Sequence, residues 1–423
     1  MRRVALVWLV LAAGAVGIAQ AQGLTMQMSN GWSFTFSGNV NAFLYYEKNN
    51  ADGTTTSPGG IVLPGGTVNA TRITTGLLPA FAVFDAKGKE GNTDLGVHFG
   101  FAPQVNCATG VNDCFGAQID MRQVYLTIGG TWGQLLIGRE LGLFSRQNIL
   151  TDQTLFGVGA SGNGFAPGTG TEGVGTTLGR IGFGYIYPNF RAQVTYSTLA
   201  GRPYQLSVGL FEAASVNGGN GPYANTRTPR LEAELTYGRS GIKGWLGGTL
   251  QNTKTAPSGS TDGLTAWGLS GGVRYERAAF SLTGSGYYGK GIGTTFFGSE
   301  GSCSITTGGG QELICSGGGD DARKSYGFIA QATFTPSQSK LTLAGSYGSS
   351  YLKASNAEKA ATADFRTENS LVSAGAYYQA TKSLKLVAEF DYWWTKGKIN
   401  GMTPTGLVKN TQWAPAVGAM LFF

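Results

Sequence analysis

His98 is the only histidine in the 423 residues, and that bounds the chemistry available to the chain. A His-rich metal centre is excluded, because such sites need several imidazole or thiolate ligands at set spacings. The four cysteines form two separated pairs, Cys107/Cys114 and Cys303/Cys315, with spacings that fit neither the usual zinc patterns nor haem attachment. A Ser-His-Asp arrangement is formally open to His98, yet no Gly-x-Ser-x-Gly elbow accompanies it. Gly157-Val158-Gly159-Ala160-Ser161-Gly162 fits a dinucleotide fingerprint by letter. It lacks the strand-then-helix setting, and with 69 glycines in the chain such a match is expected by chance. No cofactor, metal or covalent chemistry is expected. What remains are scattered charges, among them Arg72, Arg122, Arg139, Glu140, Asp152 and Glu172. Opposed charges across a narrow water channel create a transverse field, which orients dipolar solutes and disfavours apolar ones.

The elements that would position these charges are strands. In Arg122–Ile128, Val124, Leu126 and Ile128 alternate with Gln123, Tyr125 and Thr127, a period of two with one apolar and one wetter face. A Gly-rich turn, Gly129–Gly133, leads to a short second strand ending in Gly138-Arg139. A Gly-rich run follows, out to about Asn189, holding Asp152 and Glu172. In plain alternation Arg139 shares its side with Leu135 and Ile137. His98 falls on the polar side of Thr93–Phe101, where Leu95, Val97, Phe99 and Phe101 face the other way.

The same alternation runs along the chain, from Trp32–Tyr46 to Thr411–Phe423, with strand two read as about Thr71–Asp85. Arg180–Tyr187 is taken as the returning end of the long loop and Phe190–Thr198 as strand six, because a seventeenth strand would put a long loop on the side of the short turns. The expectation is an all-β, antiparallel transmembrane β-barrel of sixteen strands, with short periplasmic turns and long extracellular loops. Aromatics near strand ends (Trp32, Tyr46, Tyr288, Trp394, Trp413) suit interfacial girdles. Charged residues are only 13% and mean hydropathy is −0.05, so neither a helical membrane protein nor a disordered chain is indicated. Arg2-Arg3, the apolar Val4–Ile18 and Ala19-Gln20-Ala21 read as a secretory signal over 1–21, with the barrel over 22–423. Loss of Arg2 and Arg3 lowers the formal charge from +7 to +5, a weak lean towards anions if the chain lines a pore. No run of Lys and Arg marks a nucleic-acid footprint. In an exported chain the two cysteine pairs read as disulfides bracing loops, with free thiols or cross-loop pairing as alternatives.

Arg122-Gln123-x-Tyr125, the Gly129/Gly133 turn, Gly138-Arg139, the loop behind them and the terminal Phe423 together resemble the general porins of Gram-negative outer membranes. These motifs cover a small part of the chain; the strand pattern covers the rest. The resemblance implies that the loop at about 140–189 folds into the lumen, where Asp152, Glu172 and Glu140 face a basic wall of Arg139, Arg72 and Arg122. A bulge after Gly138 would turn Arg139 inward, and His98 would face the lumen. It further implies a homotrimer, surrounded by outer-membrane lipid and lipopolysaccharide, that passes small hydrophilic solutes or ions. The alternatives are a substrate-specific channel of the same architecture, a loop-mediated adhesin or envelope scaffold, and a secreted β-rich hydrolase.

Overall fold

The computed structural model describes residues 23–423, apart from 52–57, 62–68, 106–118, 162–175, 217–224, 227, 255–262, 304, 307–311, 314–317, 362 and 401–405. Sixteen strands pair antiparallel, each with the next in sequence, and the first pairs with the last, so the sheet closes. They are β1 (Ser33–Ala51), β2 (Asn69–Thr74 and Phe81–Glu90), β3 (Thr93–Pro103), β4 (Ile119–Gly130), β5 (Gly133–Leu141), β6 (Phe190–Ser197), β7 (Tyr204–Phe211) and β8 (Arg230–Arg239). Then come β9 (Ile242–Lys254), β10 (Gly263–Arg277), β11 (Phe280–Lys290), β12 (Lys324–Phe334), β13 (Leu341–Lys353), β14 (Asp364–Gln379), β15 (Leu384–Asn400) and β16 (Gly406–Phe422). Closure leaves no unpaired edge, the condition for crossing a bilayer with strands. No helix among the described residues is long and apolar enough to cross a membrane.

The strand alternation sorts side chains between two media. Leu246, Leu269, Val273, Leu282, Val417 and Leu421 stand exposed on the outside, an apolar surface that water would penalise and acyl chains would not. The inner face carries Asn39, Asn41, Thr195, Thr249, Gln331, Ser373 and Gln412. Aromatic pairs bound the apolar band. Phe280/Phe334, Tyr204/Tyr237 and Trp132/Tyr196 lie on the side of the short turns, and Trp267/Tyr288, Tyr326/Tyr351 and Tyr46/Trp413 on the side of the long loops. On β12, Tyr326 and Phe334 are roughly 26 Å apart at the usual strand rise, or about 20 Å along the membrane normal at the usual barrel tilt, somewhat less than an apolar band of about 25 Å.

One departure from the sequence reading bears on the lumen. Strand two is broken at 75–80, where Pro79 has no N–H for the ladder. Side chains of β1 fill the gap: Asn41 accepts from Gly76 N–H (2.9 Å) and donates to Leu78 O (2.9 Å), and Asn39 donates to Pro79 O (3.1 Å). Phe43 and Tyr45, which interrupt the polar face of β1, are buried inside the barrel against residues of the long loop. In agreement with the sequence reading, residues 180–187 form isolated bridges and not a strand, and β6 begins at Phe190.

Candidate functional site: a loop fastened across the lumen

The described parts of the connection from β5 to β6, residues 142–161 and 176–189, turn into the barrel. Ile149, Leu155, Val158, Ile181 and Tyr185 of this loop pack with Phe43, Tyr45, Ile329, Tyr377, Val387 and Met420 of the inner wall. It carries a short helix, α1 (Arg146–Thr151), and a 3-10 turn, Gln153–Phe156. Neither is long enough to be stable alone, so the wall must hold them.

The fastening is polar. At the near end, Glu232 on β8 accepts from the N–H groups of Leu143 (2.7 Å) and Phe144 (3.0 Å). Two residues along, Glu234 accepts from Arg146 Nη2 (2.6 Å) and Gln147 Nε2 (3.1 Å). Trp245 Nε1 of β9 donates to Asn148 Oδ1 at 2.7 Å. In the middle, Gln331 on β12 accepts from Gln153 N–H (2.8 Å) and donates to Thr151 O (2.9 Å). Farther on, Glu389 on β15 accepts from the N–H groups of Val158 (2.8 Å) and Gly159 (2.6 Å) and from Tyr377 Oη (2.8 Å). Gly157 lies so close to this carboxylate that a Cβ there would collide with it. Glu47 on β1 accepts from Ser161 Oγ at 2.9 Å. The returning limb is held by Arg180, fully buried, which donates to Leu371 O (2.9 Å) and to Ser346 O (3.0 Å) and Oγ. Charge-assisted bonds of this kind are stronger than neutral ones.

Asp152 does not face a water gap. Its carboxylate lies inside the loop, 3.7 Å from Arg180 Nε, and accepts from Thr154 N–H (3.0 Å), Thr154 Oγ1 (2.7 Å) and Tyr185 Oη (2.9 Å). Burial pushes the Asp152 carboxyl above its ordinary value of 3.8, although Arg180 and the hydrogen bonds from Thr154 and Tyr185 pull it back. Burial, with Asp152 beside it, pushes the Tyr185 phenol well up too. The raised Asp152 value has a sign. A docked loop retains a proton that a released loop has already lost, so docking is strongest below 3.8 and weakens as pH rises towards the raised value. Asp152→Asn should remove this dependence. Loop accessibility to protease, compared in wild type and variant from about pH 4 upward, checks it; equal slopes would refute it.

The three arginines expected on the wall are not brought together. Arg72 is on the inner side of β2 and donates to Glu47 Oε1 at 3.1 Å, so it acts on the carboxylate that also holds Ser161. Arg122 is the extra residue in a β-bulge between Gly100/Phe101 and Met121/Gln123. It is buried, paired with Asp120 (2.8 Å) and packed over the Phe190 ring. Arg139 corrects the sequence reading. The ladder on both sides of β5 runs without a register shift, placing Arg139 opposite Val124 and Ala192. No bulge follows Gly138, so Arg139 keeps the side of Leu135 and Ile137, away from the lumen.

Glu140 is on the inner wall and accepts from Gln123 Nε2 at 2.7 Å. His98 is beside it, its Nδ1 2.9 Å from Asp85 and its ring stacked on Tyr125. Glu172, Cys107, Cys114 and Cys315 lie outside the described residues. Cys303 is buried and not a free thiol.

The sequence reading missed a charged row on β8–β10: Glu234, Lys243, Arg274 and Glu276 on the wall, with Arg146 from the loop. Lys243 and Arg274 are cross-strand neighbours, and Arg274 pairs with Glu276 at 2.6 Å. Burial lowers the Arg146 guanidinium, but the carboxylates of Glu234, Glu140 and Glu232 outweigh it and hold the pKa above the ordinary value. Arg146→Gln should shift ion selectivity towards cations by about threefold, the weight of one charge at about 6 Å in water-like surroundings. Reversal potentials in a salt gradient measure this, and an unchanged ratio would take Arg146 off the ion path.

Among solved structures, the fold is similar to the outer membrane channel DcaP of Acinetobacter baumannii, with a TM-score of 0.64 at 15% identity over 94% of this chain and 99% of that one. It is similar to an anion-selective porin from Comamonas acidovorans, with a TM-score of 0.57 at 14% identity over 93% of this chain and 100% of that one. A third likeness is to Salmonella typhi OmpF in complex with daunomycin, with a TM-score of 0.51 at 15% identity over 95% of this chain and 100% of that one. No curated protein sequence matches the chain. The model of the Gram-negative porin family matches residues 5–398. The closed sixteen-stranded barrel agrees with that match, and the chain belongs to the Gram-negative porins, diffusion channels of the outer membrane.

Proposed function

We propose that this porin is a general diffusion channel with a weak preference for small anions, assembled as a homotrimer. The loop held at Glu232, Glu234, Gln331, Glu389 and Glu47 carries the reading. A loop fastened to walls on several sides narrows a wide barrel without closing it, and the charges beside it then set selectivity. The +5 balance after signal removal favours anions, as does Arg146. The Comamonas acidovorans structure is that of an anion-selective porin, in keeping with this preference. Trimer assembly rests on the family resemblance. Residues 1–21 are the secretory signal, and Cys107/Cys114 and Cys303/Cys315 pair as disulfides within their loops. Outer-leaflet lipid and lipopolysaccharide surround the barrel.

The purified protein in a planar bilayer tests the reading. Stepwise conductance rising linearly with salt, with a reversal potential favouring anions, is the expected result. Clear cation preference overturns the selectivity. Conductance that saturates with one solute overturns the general channel in favour of a substrate-specific one.

A further inference from the structure

Five cations stand in one cross-strand row near the loop ends of adjacent strands. Lys290 pairs with Lys324, Lys324 with Lys353, Lys353 with Arg366 and Arg366 with Lys398. They come from β11–β15, so no stretch of sequence shows them as a cluster. Their strand parity is that of Tyr288, Phe328, Leu343, Val372 and Phe390, the outward side. Arg366 and Lys398 are exposed and the other three half-buried. Directly below, one pleat towards the membrane, lies a second row: Tyr288, Tyr326, Tyr351, Glu368, Lys396 and Lys409. Arg366 leans over the Tyr351 ring at 5.0 Å and Lys353 over Tyr326 at 5.1 Å. Lys353, Lys359, Asp364, Phe365, Arg366 and Lys398 line a cleft of about 300 Å³ at the rim.

Like charges placed directly opposite on neighbouring strands destabilise a sheet, and here four such pairs follow one another. Two acids in this patch, Asp364 and Glu368, do not balance the seven cations of the two rows and Lys359 at the cleft, and Glu368 is already engaged by Trp394 Nε1 (3.0 Å) and Ser370 Oγ (2.9 Å). A row of this kind calls for an external polyanion. The tyrosines mark the membrane interface, so the cations lie at headgroup level of the leaflet on the loop side. We infer that the outward faces of β11–β15 form a docking surface for the phosphate groups of an acylated, phosphorylated glycolipid of the outer leaflet. Its acyl chains lie along the apolar wall below the tyrosines. The inference deepens the proposed lipopolysaccharide contact by giving it a place, and it rests on the outer-membrane assignment rather than on the pore.

The test uses the whole barrel, refolded in detergent free of lipopolysaccharide. Binding of purified lipopolysaccharide is followed by native mass spectrometry, against the same glycolipid stripped of its phosphates and against inorganic phosphate. Wild type should prefer the phosphorylated form by at least about tenfold, since each cation near an anionic surface adds its own attraction. Lys324→Gln, Lys353→Gln, Arg366→Gln and Lys398→Gln combined should abolish that preference; Lys→Arg changes at the three lysines should keep it. Equal binding of the dephosphorylated glycolipid by wild type overturns the inference without recourse to any variant. So does full displacement by inorganic phosphate, which would make this a free-phosphate site. Single-channel conductance of the same preparation is read separately, so a failed pore and a failed lipid site are distinguishable.

Discussion

Replacing Arg180 with leucine should free the returning limb of the lumen loop, with a larger and noisier single-channel current as the result. The guanidinium is fully buried and holds three wall acceptors on β13 and β14 while it neutralises Asp152. Removing one partner of a buried pair leaves the other uncompensated, at about 3–5 kcal/mol. The loop has a cheaper response than keeping Asp152 dry and unpaired: it can swing into water. Arg180→Lys keeps a charge but not the planar fork that reaches Leu371 and Ser346 together, so it should rescue only in part. Current noise and protease cleavage within 142–189 are the readouts. A quiet current of normal size from the leucine variant would mean that Arg180 is not a fastening.

Glu389→Leu should have a comparable effect on the other limb of the loop, acting from β15, the strand beside β14. It strands the N–H groups of Val158 and Gly159, each costing about 1–3 kcal/mol if it stays buried without an acceptor. Glu389→Gln retains one carbonyl oxygen for both and should be much milder. Arg180→Leu and Glu389→Leu act on different limbs of one loop, so their combined effect on loop protection should depart from additivity. Strict additivity would show that the limbs move independently. An intact loop in the Glu389→Leu variant, by cleavage rate and conductance, would discard the fastening altogether.

The barrel was open to reading from one chain because a period of two survives any tertiary detail. Tyr326, Phe328, Ala330 and Ala332 on β12 keep one side, and Leu384, Leu386 and Phe390 on β15 do the same. Register then follows from which side is greasy. Arg139 shows the limit of analogy: its alternation with Leu135 and Ile137 pointed outward, the porin resemblance pointed inward, and the unbroken ladder agrees with the alternation. Pro79 was a visible break in strand two that an otherwise regular pattern concealed. Phe43 and Tyr45 violated the polar face of β1 for a reason lying more than a hundred residues away, the loop that covers them. The fastenings were illegible for the same cause. Glu232, Gln331 and Glu389 occupy ordinary inward positions, and nothing local says which of them will meet a backbone N–H.

The spacing of those fastenings along the chain implies an order of assembly. Leu143 and Glu232 are 89 residues apart, whereas Val158 and Glu389 are 231 apart. Closing the longer circuit in a flexible chain costs about 0.8 kcal/mol more entropy. The near end of the loop can dock once β8 is in place; the far end must wait for β15. In a refolding barrel the near end of the loop should therefore gain protection from protease before the far end does.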